Sequence, residues 1–218
     1  MDRRRLTSRT PPTPPRRARP PGLHFLSAVG GSASDPRVPE QAKFYRITVI
    51  ILFLYDNQLE SLDPLAPLEH SLERLYIQNN RISTLAPLSG FSLLTALDAS
   101  GNFIEYLDQL SLPSLEDLTL DRQRTSEEGG IHGDASTLSF PSLQTVSVSH
   151  SGMTDPGFLI AFRAAESVTL AHNQLADLGS LVQKLRLFRR LASVDVSGNQ
   201  FGPEKRTRER FVTDIPWL

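Results

Sequence analysis

The side chains able to do chemistry are few and far apart in this 218-residue chain. His132 and Asp134 follow Glu127 and Glu128 in the stretch RTSEEGGIHGDASTLSFPS, and imidazole with carboxylates is a donor set for a divalent cation. Gly129, Gly130 and Gly133 make that stretch a loop. A glycine-rich loop does not preset ligand geometry, so no metal site is expected. His70, His150 and His172 stand apart, with no nucleophile beside them. There is no glycine-rich phosphate loop, no triad spacing and no carboxylate pair. The absence of cysteine excludes a thiolate nucleophile, a Cys-ligated metal and a disulfide framework. An enzyme and a cofactor are therefore not expected, and the chemistry that remains is recognition. It resides in two sets of side chains. Phe53, Tyr55, Tyr76 and Gln78 lead into Asp98, Asp117, Thr119 and Asp121, aromatic surface passing into carboxylates. Asn57, Asn80, Asn102, Gln123, Ser151, Asn173 and Asn199 form the second set, whose amides and hydroxyl both donate and accept hydrogen bonds.

The elements that position both sets are short strands. In LERLYIQNNRISTLAPL, residues 72–88, apolar Leu75 and Ile77 alternate with Tyr76 and Gln78, so one strand face turns inward and the other outward. Asn80 then enters the interior, where its amide can satisfy backbone groups exposed at the turn. The pattern L-x-x-L-x-I-x-x-N-x-I-x-x-L-x-x-L is similar to the leucine-rich repeat. It recurs with its polar residue at 57, 80, 102, 123, 151, 173 and 199, in steps of 23, 22, 21, 28, 22 and 26 residues. One such unit cannot bury its own apolar edge, whereas seven in register can stack. The expected fold is an α/β repeat of about seven units over residues 41–201, a leucine-rich repeat solenoid. A curved parallel sheet forms its concave face and 3₁₀ or irregular segments its convex side. Residues 124–141 read as an insertion loop, and 202–218 as a partial carboxy-terminal cap closing the core with Phe211, Ile215, Trp217 and Leu218.

Composition sets further bounds. Residues 1–40 carry a charge of +5 and eight of the sixteen prolines, leaving −6 for the rest. An acidic repeat body argues against binding nucleic acid and for partners with basic patches. The Arg/Pro-rich segment 1–40 lacks the apolar content to order itself. It reads as a solvated tail or as a basic arm for acidic surfaces such as nucleic acid or tubulin tails, with Thr10 and Thr13 each followed by proline. Between Pro39 and Val49 the chain is too short for a full repeat or helix, so an amino-terminal cap is expected to be absent or improvised from Phe44 and Tyr45. No apolar run approaches the roughly 20 residues that span a membrane.

The 22-residue step with I-x-x-L-x-x-L after the Asn resembles the Sds22-like class of leucine-rich repeat proteins. LFLYDN at 52–57, LYIQNN at 75–80, DRQRT at 121–125 before an insertion, and VSGNQF at 196–201 look like the protein phosphatase 1 regulatory members of that class. The closing RERFVTDIPWL resembles the start of the class's cap. The resemblance implies a non-catalytic adaptor of the phosphatase catalytic subunit, cytoplasmic and cytoskeleton-associated, at microtubule-organising centres or cilia, with tubulin or motor proteins as further partners. It equally admits an axonemal or centrosomal scaffold with no phosphatase role, or a ribonucleoprotein adaptor in the nucleus. RITVII at 46–51 lacks the Phe of a basic-Val-x-Phe docking motif. Partner binding is therefore expected on the folded outward face, anchored by Phe53 and Tyr76 with Asp98 and Asp121 setting partner choice.

Overall fold

The computed structural model describes residues 50–125, 129–202 and 204–217, with backbone alone at 204–206. The tail at 1–40, Phe44, Tyr45, Val49, Glu127, Glu128 and Leu218 lie outside the described residues. Eleven strands occur among the described residues: β1 (Ile51–Phe53), β2 (Arg74–Tyr76), β3 (Ala96–Asp98), β4 (Tyr106–Leu107), β5 (Leu110–Ser111), β6 (Asp117–Thr119), β7 (His132–Gly133), β8 (Leu138–Ser139), β9 (Thr145–Ser147), β10 (Ser167–Thr169) and β11 (Ser193–Asp195). Seven of them form one parallel sheet in the order β1-β2-β3-β6-β9-β10-β11. Every neighbour is the corresponding strand of the next repeat, which is the topology of a solenoid.

Period two fixes what each face carries. The central residues Leu52, Leu75, Leu97, Leu118, Val146, Val168 and Val194 stand in register across the sheet. The first six of these are buried, and Val194, on the edge strand, is only partly covered. The return segments close the other side of one continuous core with Leu62, Ile82, Leu85, Phe91, Ile104, Phe158 and Phe162. Each such side chain contributes roughly 1.5–3 kcal/mol when removed from water.

Four return segments contain 3₁₀ turns, Asp63–Leu68, Ala86–Leu88, Ala135–Thr137 and Gly157–Phe162. The sixth repeat differs, because its 26-residue step leaves room for a true α-helix, α1 (Leu178–Leu185). The Asp177 side chain accepts a hydrogen bond from Ser180 N at its start, and Leu181, Val182 and Leu185 face the core. A second helix, α2 (Glu204–Asp214), follows the last strand. Of the expected closing residues, Phe211 and Ile215 are buried, while Trp217 is 48% exposed. No described helix is long and apolar enough to cross a membrane.

The insertion corrects the sequence reading. Residues 129–141 are not a loose loop: β7 pairs with β4 and β8 with β5, both parallel. Ile131 and Phe140 are buried. Gly133 read as a breaker, yet it is what permits the pairing, since a Cβ there would lie 2.5 Å from the Leu107 carbonyl oxygen.

Candidate functional site

The outward strand positions form columns. Register places Phe53, Tyr76, Asp98, Thr119, Ser147, Thr169 and Asp195 in one, and Ile51, Arg74, Ala96, Asp117, Thr145, Ser167 and Ser193 in another. Two residues beyond the first column stand Tyr55, Gln78, Ser100, Asp121, Ser149, Ala171 and Ser197. At the amino-terminal end the aromatics gather. Phe53 and Tyr76 stack at 4.9 Å with rings 10° apart, and Tyr55 meets Phe53 edge-on at 6.3 Å. Phe53 and Tyr76 are half-buried, and Tyr55 is exposed. The Tyr55 and Tyr76 rings, both packed on Phe53, give a preformed apolar anchor with little side-chain freedom left to lose.

The carboxylates follow at once, and the structure separates them into two kinds. Asp98 accepts from Gln78 Nε2 at 2.6 Å, from Ser100 N at 3.0 Å and from Ser100 Oγ at 2.6 Å. Asp121 accepts from Ser147 Oγ and from Ser149 N, each at 2.7 Å. Both therefore hold the ends of strands as well as presenting charge, so neither is purely a selector of partners. Asp117 is exposed on the face, and Thr119 is half-buried behind Asp98 in register. Gln78 Oε1 is buried and without a hydrogen-bond partner, a satisfied donor side and an unsatisfied acceptor on one amide.

What fixes the columns is the buried polar ladder below the turns. Asn80, Asn102, Asn173 and Asn199 repeat one geometry. The Nδ2 group donates to the carbonyl three residues earlier and to the equivalent carbonyl of the preceding repeat, as Asn102 does to Ala99 O and Ile77 O, both at 2.9 Å. The Oδ1 atom accepts from a backbone N–H of the preceding repeat, Ile82 N at 3.0 Å in the case of Asn102. Asn57, half-buried at the first repeat, donates to Leu54 O and Tyr55 O. Gln123 reaches one methylene further: Oε1 accepts from Ile104 N at 3.0 Å and Nε2 donates to Ala99 O at 3.0 Å. Ser151 is shorter, and its Oγ lies 2.9 Å from Leu120 O and accepts from Gln123 N at 3.3 Å. The long and the short side chain thus complement one another.

One feature escaped the sequence reading. Asp56, Asn79, Arg122, His150 and His172, each immediately before a ladder residue, have φ between 54 and 56°, and Gly101 and Gly198 take φ of 68 and 69° at the same place. In every repeat but the last, the N–H group at this place donates to the next repeat, as Asn79 N does to Ser100 O and His150 N to Ala171 O. Asp, Asn and Gly in that slot were the available signal, since they tolerate the left-handed region. The exposed side chains make a further column. Asn79 Nδ2 donates to Asp56 Oδ1 at 2.8 Å, and the His150 and His172 rings stack at 4.4 Å. Those histidines are turn residues. His132 and Asp134, the described half of the sparse metal-like set, are engaged elsewhere. His132 Nδ1 lies 3.0 Å from Gly130 O, its ring packs edge-on against Tyr106 at 5.0 Å, and Asp134 accepts from the N–H and hydroxyl of Ser136. Those two bonds, the hydroxyl first, hold the Asp134 carboxyl below its ordinary pKa.

A family model described as Leucine Rich Repeat matches residues 71–94, the second strand with its turn and return segment. The family model covers a single repeat, and the seven parallel strands stacked repeat by repeat give the described residues the fold of a leucine-rich repeat solenoid. It is 28% identical over 185 residues to human podocan-like protein 1, covering 82% of this chain and 35% of that protein. The chain thus spans about a third of the length of this curated relative. Among solved structures it is similar to a chain of the TLR13–ssRNA13 complex, at 21% identity and a TM-score of 0.55, over 69% of this chain and 22% of that one. It is also similar to internalin C2 of Listeria monocytogenes, at 20% identity and a TM-score of 0.43, over 72% and 74%. At 21% identity, the likeness to the TLR13 chain concerns the fold alone.

Proposed function

We propose that the solenoid is a non-catalytic adaptor whose outward sheet face binds a protein, and that this partner is the catalytic subunit of protein phosphatase 1, held at cytoskeletal or ciliary structures. The observation that carries the reading is the continuity of the face. A stacked aromatic cluster of Phe53, Tyr55 and Tyr76 abuts carboxylates fixed by hydrogen bonds, with exposed Asp117 beside them. Aromatic anchors in a rigid setting supply most of the energy in such interfaces, and neighbouring carboxylates favour a partner with basic side chains. The leucine-rich repeat architecture supports an interaction role; the phosphatase and its cytoskeletal setting rest on the Sds22-like motifs of the sequence.

The test is capture of purified phosphatase catalytic subunit by the immobilised full chain. Tyr76→Ala should weaken capture about thirtyfold, the effect of removing an anchor worth about 2 kcal/mol. Asp117→Lys should weaken it further while leaving the melting temperature unchanged, because Asp117 is exposed. Asp121→Lys is the wrong probe, since it also strips Ser149 N of its acceptor. Undiminished capture by the Tyr76→Ala, Asp117→Lys pair would refute the face as the binding site. Tubulin, dynein components or spliceosomal proteins captured in place of the phosphatase would keep the adaptor and discard the partner.

A further inference from the structure

The flank of the solenoid carries a second surface of opposite character. Three successive repeats return to the sheet along it, through Phe140–Pro141 before β9, Ile160–Ala164 before β10 and Leu187–Arg190 before β11. Between them is a cleft of about 520 Å³. Its floor is apolar, with Leu138 and Phe140 buried, Ile160 and Ala161 half-buried, and Leu187 standing 49% exposed on the wall. Around its rim stand Arg163, Arg189 and Arg190, all exposed. Glu166 lies 3.9 Å from Arg190, with both side chains largely in solvent, so it neutralises the rim only weakly. Residues 160–192 hold five Arg or Lys against two acids, in a chain whose charge beyond residue 40 is −6.

We infer that this flank cleft is a docking site for an acidic amphipathic peptide segment of a protein partner, with bulky aliphatic or aromatic side chains entering the cleft and Asp or Glu meeting Arg163, Arg189 and Arg190. Charge complementarity selects the occupant. Guanidinium groups engage carboxylates in bidentate fashion and keep their charge at any physiological pH. The chain's own basic segment 1–40 carries the wrong sign to fill the site. A nucleic acid would find phosphate contacts at the rim but no exposed ring to stack a base, because Phe140 is 2% exposed on the floor. The cleft volume suits two or three side chains of a peptide, and Leu187 on its wall extends the apolar lining that such side chains would meet.

The experiment is selection of a displayed random 12-residue peptide library on the immobilised full chain and, in parallel, on the R189E/R190E variant. Peptides enriched on the wild type should carry net negative charge with Leu, Ile or Phe at spaced positions, and should be absent from the variant's pool. The strongest peptide, fluorescein-labelled, should lose at least about tenfold in affinity to R189E/R190E by anisotropy, and its affinity should fall as salt rises. Leu187→Asp, made separately, should weaken it through the apolar wall. Both variants alter exposed side chains and should melt with the wild type, and R189E/R190E should capture the phosphatase catalytic subunit as the wild type does. A failure here is thereby distinguished from a failure of the sheet face. No enrichment, enrichment of basic peptides, or acidic peptides that bind the variant equally would overturn the proposal. So would binding of phosphatidylserine vesicles or single-stranded RNA at the same arginines with no acidic peptide selected.

Discussion

Asn102→Leu is the substitution that interrogates the ladder most directly. Asn102 is wholly buried, and leucine has the same number and branching of side-chain heavy atoms but no polar group, so what it removes is hydrogen bonding. Each of its two principal acceptors is shared. Ile77 O also receives Asn80 Nδ2 at 2.9 Å, and Ala99 O also receives Gln123 Nε2 at 3.0 Å, so both carbonyls keep a donor in the variant. The Ile82 N–H bonds to Asn102 Oδ1 and loses that acceptor in a dry interior. An orphaned buried donor costs about 1–3 kcal/mol, and the two shared bonds add about 0.5 kcal/mol apiece, so the total is about 2–4 kcal/mol. A chain of this size shifts by about 2–4 °C per kcal/mol, which puts the expected fall in melting temperature at about 4–16 °C. Asn57→Leu is the internal control. Asn57 is only half-buried, and Leu54 O keeps Asn80 as donor, so a fall of about 3 °C or less is expected. Thermal unfolding followed by circular dichroism measures both. An Asn102→Leu shift below about 2 °C, or no larger than that of Asn57→Leu, would refute the claim that the ladder works by satisfying backbone groups.

Three further outcomes follow from the geometry. Ser151→Ala should destabilise the fourth and fifth repeats by removing the donor to Leu120 O, and adding Gln123→Asn should restore part of the loss, because Asn at that position reaches the carbonyl three residues back as the other Asn ladder residues do; additive effects in a double-mutant cycle would contradict the pairing. Gly133→Ala should force β7 away from β4 and speed amide exchange at His132 and Asp134, whose N–H groups bond Glu105 O and Leu107 O; unchanged exchange rates would count against it. Ser136→Ala should raise the Asp134 pKa toward its ordinary value in an NMR titration. Since that pKa is depressed in the folded chain, the stabilising contribution is present above the ordinary carboxylate pKa and disappears as pH falls through the folded value. An unmoved titration would show that the Ser136 hydroxyl is not the cause.

The parts of the molecule governed by local periodicity were legible in the sequence. Alternation alone tells which side chains of LYIQNN face in and which face out, and the recurrence of one buried polar residue per turn locates each repeat. Signals that depend on two distant places at once were not. Gly133 carries the same letter whether it loosens a loop or lets another backbone approach, and the choice was made by Leu107, 26 residues away. Asp121 looked like free surface charge, and its bonds to Ser147 and Ser149 arise only after the following repeat is laid alongside. Gln123 and Ser151 each read only as a ladder residue standing in place of Asn, although together they compensate in length. The helix α1 followed from a long step and an Asp cap that periodicity did not weigh.

The braced insertion gives the solenoid uneven mechanics. Most neighbouring repeats are joined by a single line of strand pairing, whereas the third and fourth are joined three times, by β3 with β6, β4 with β7 and β5 with β8. In a row of springs coupled end to end, deformation concentrates in the soft links and avoids the stiff one. Pulled or twisted, this chain should yield at its flanking junctions while the distance between Asp98 and Thr119 stays fixed. A partner gripping the aromatic end and one gripping the arginine flank would then be held by two arms of a lever, with the insertion as fulcrum.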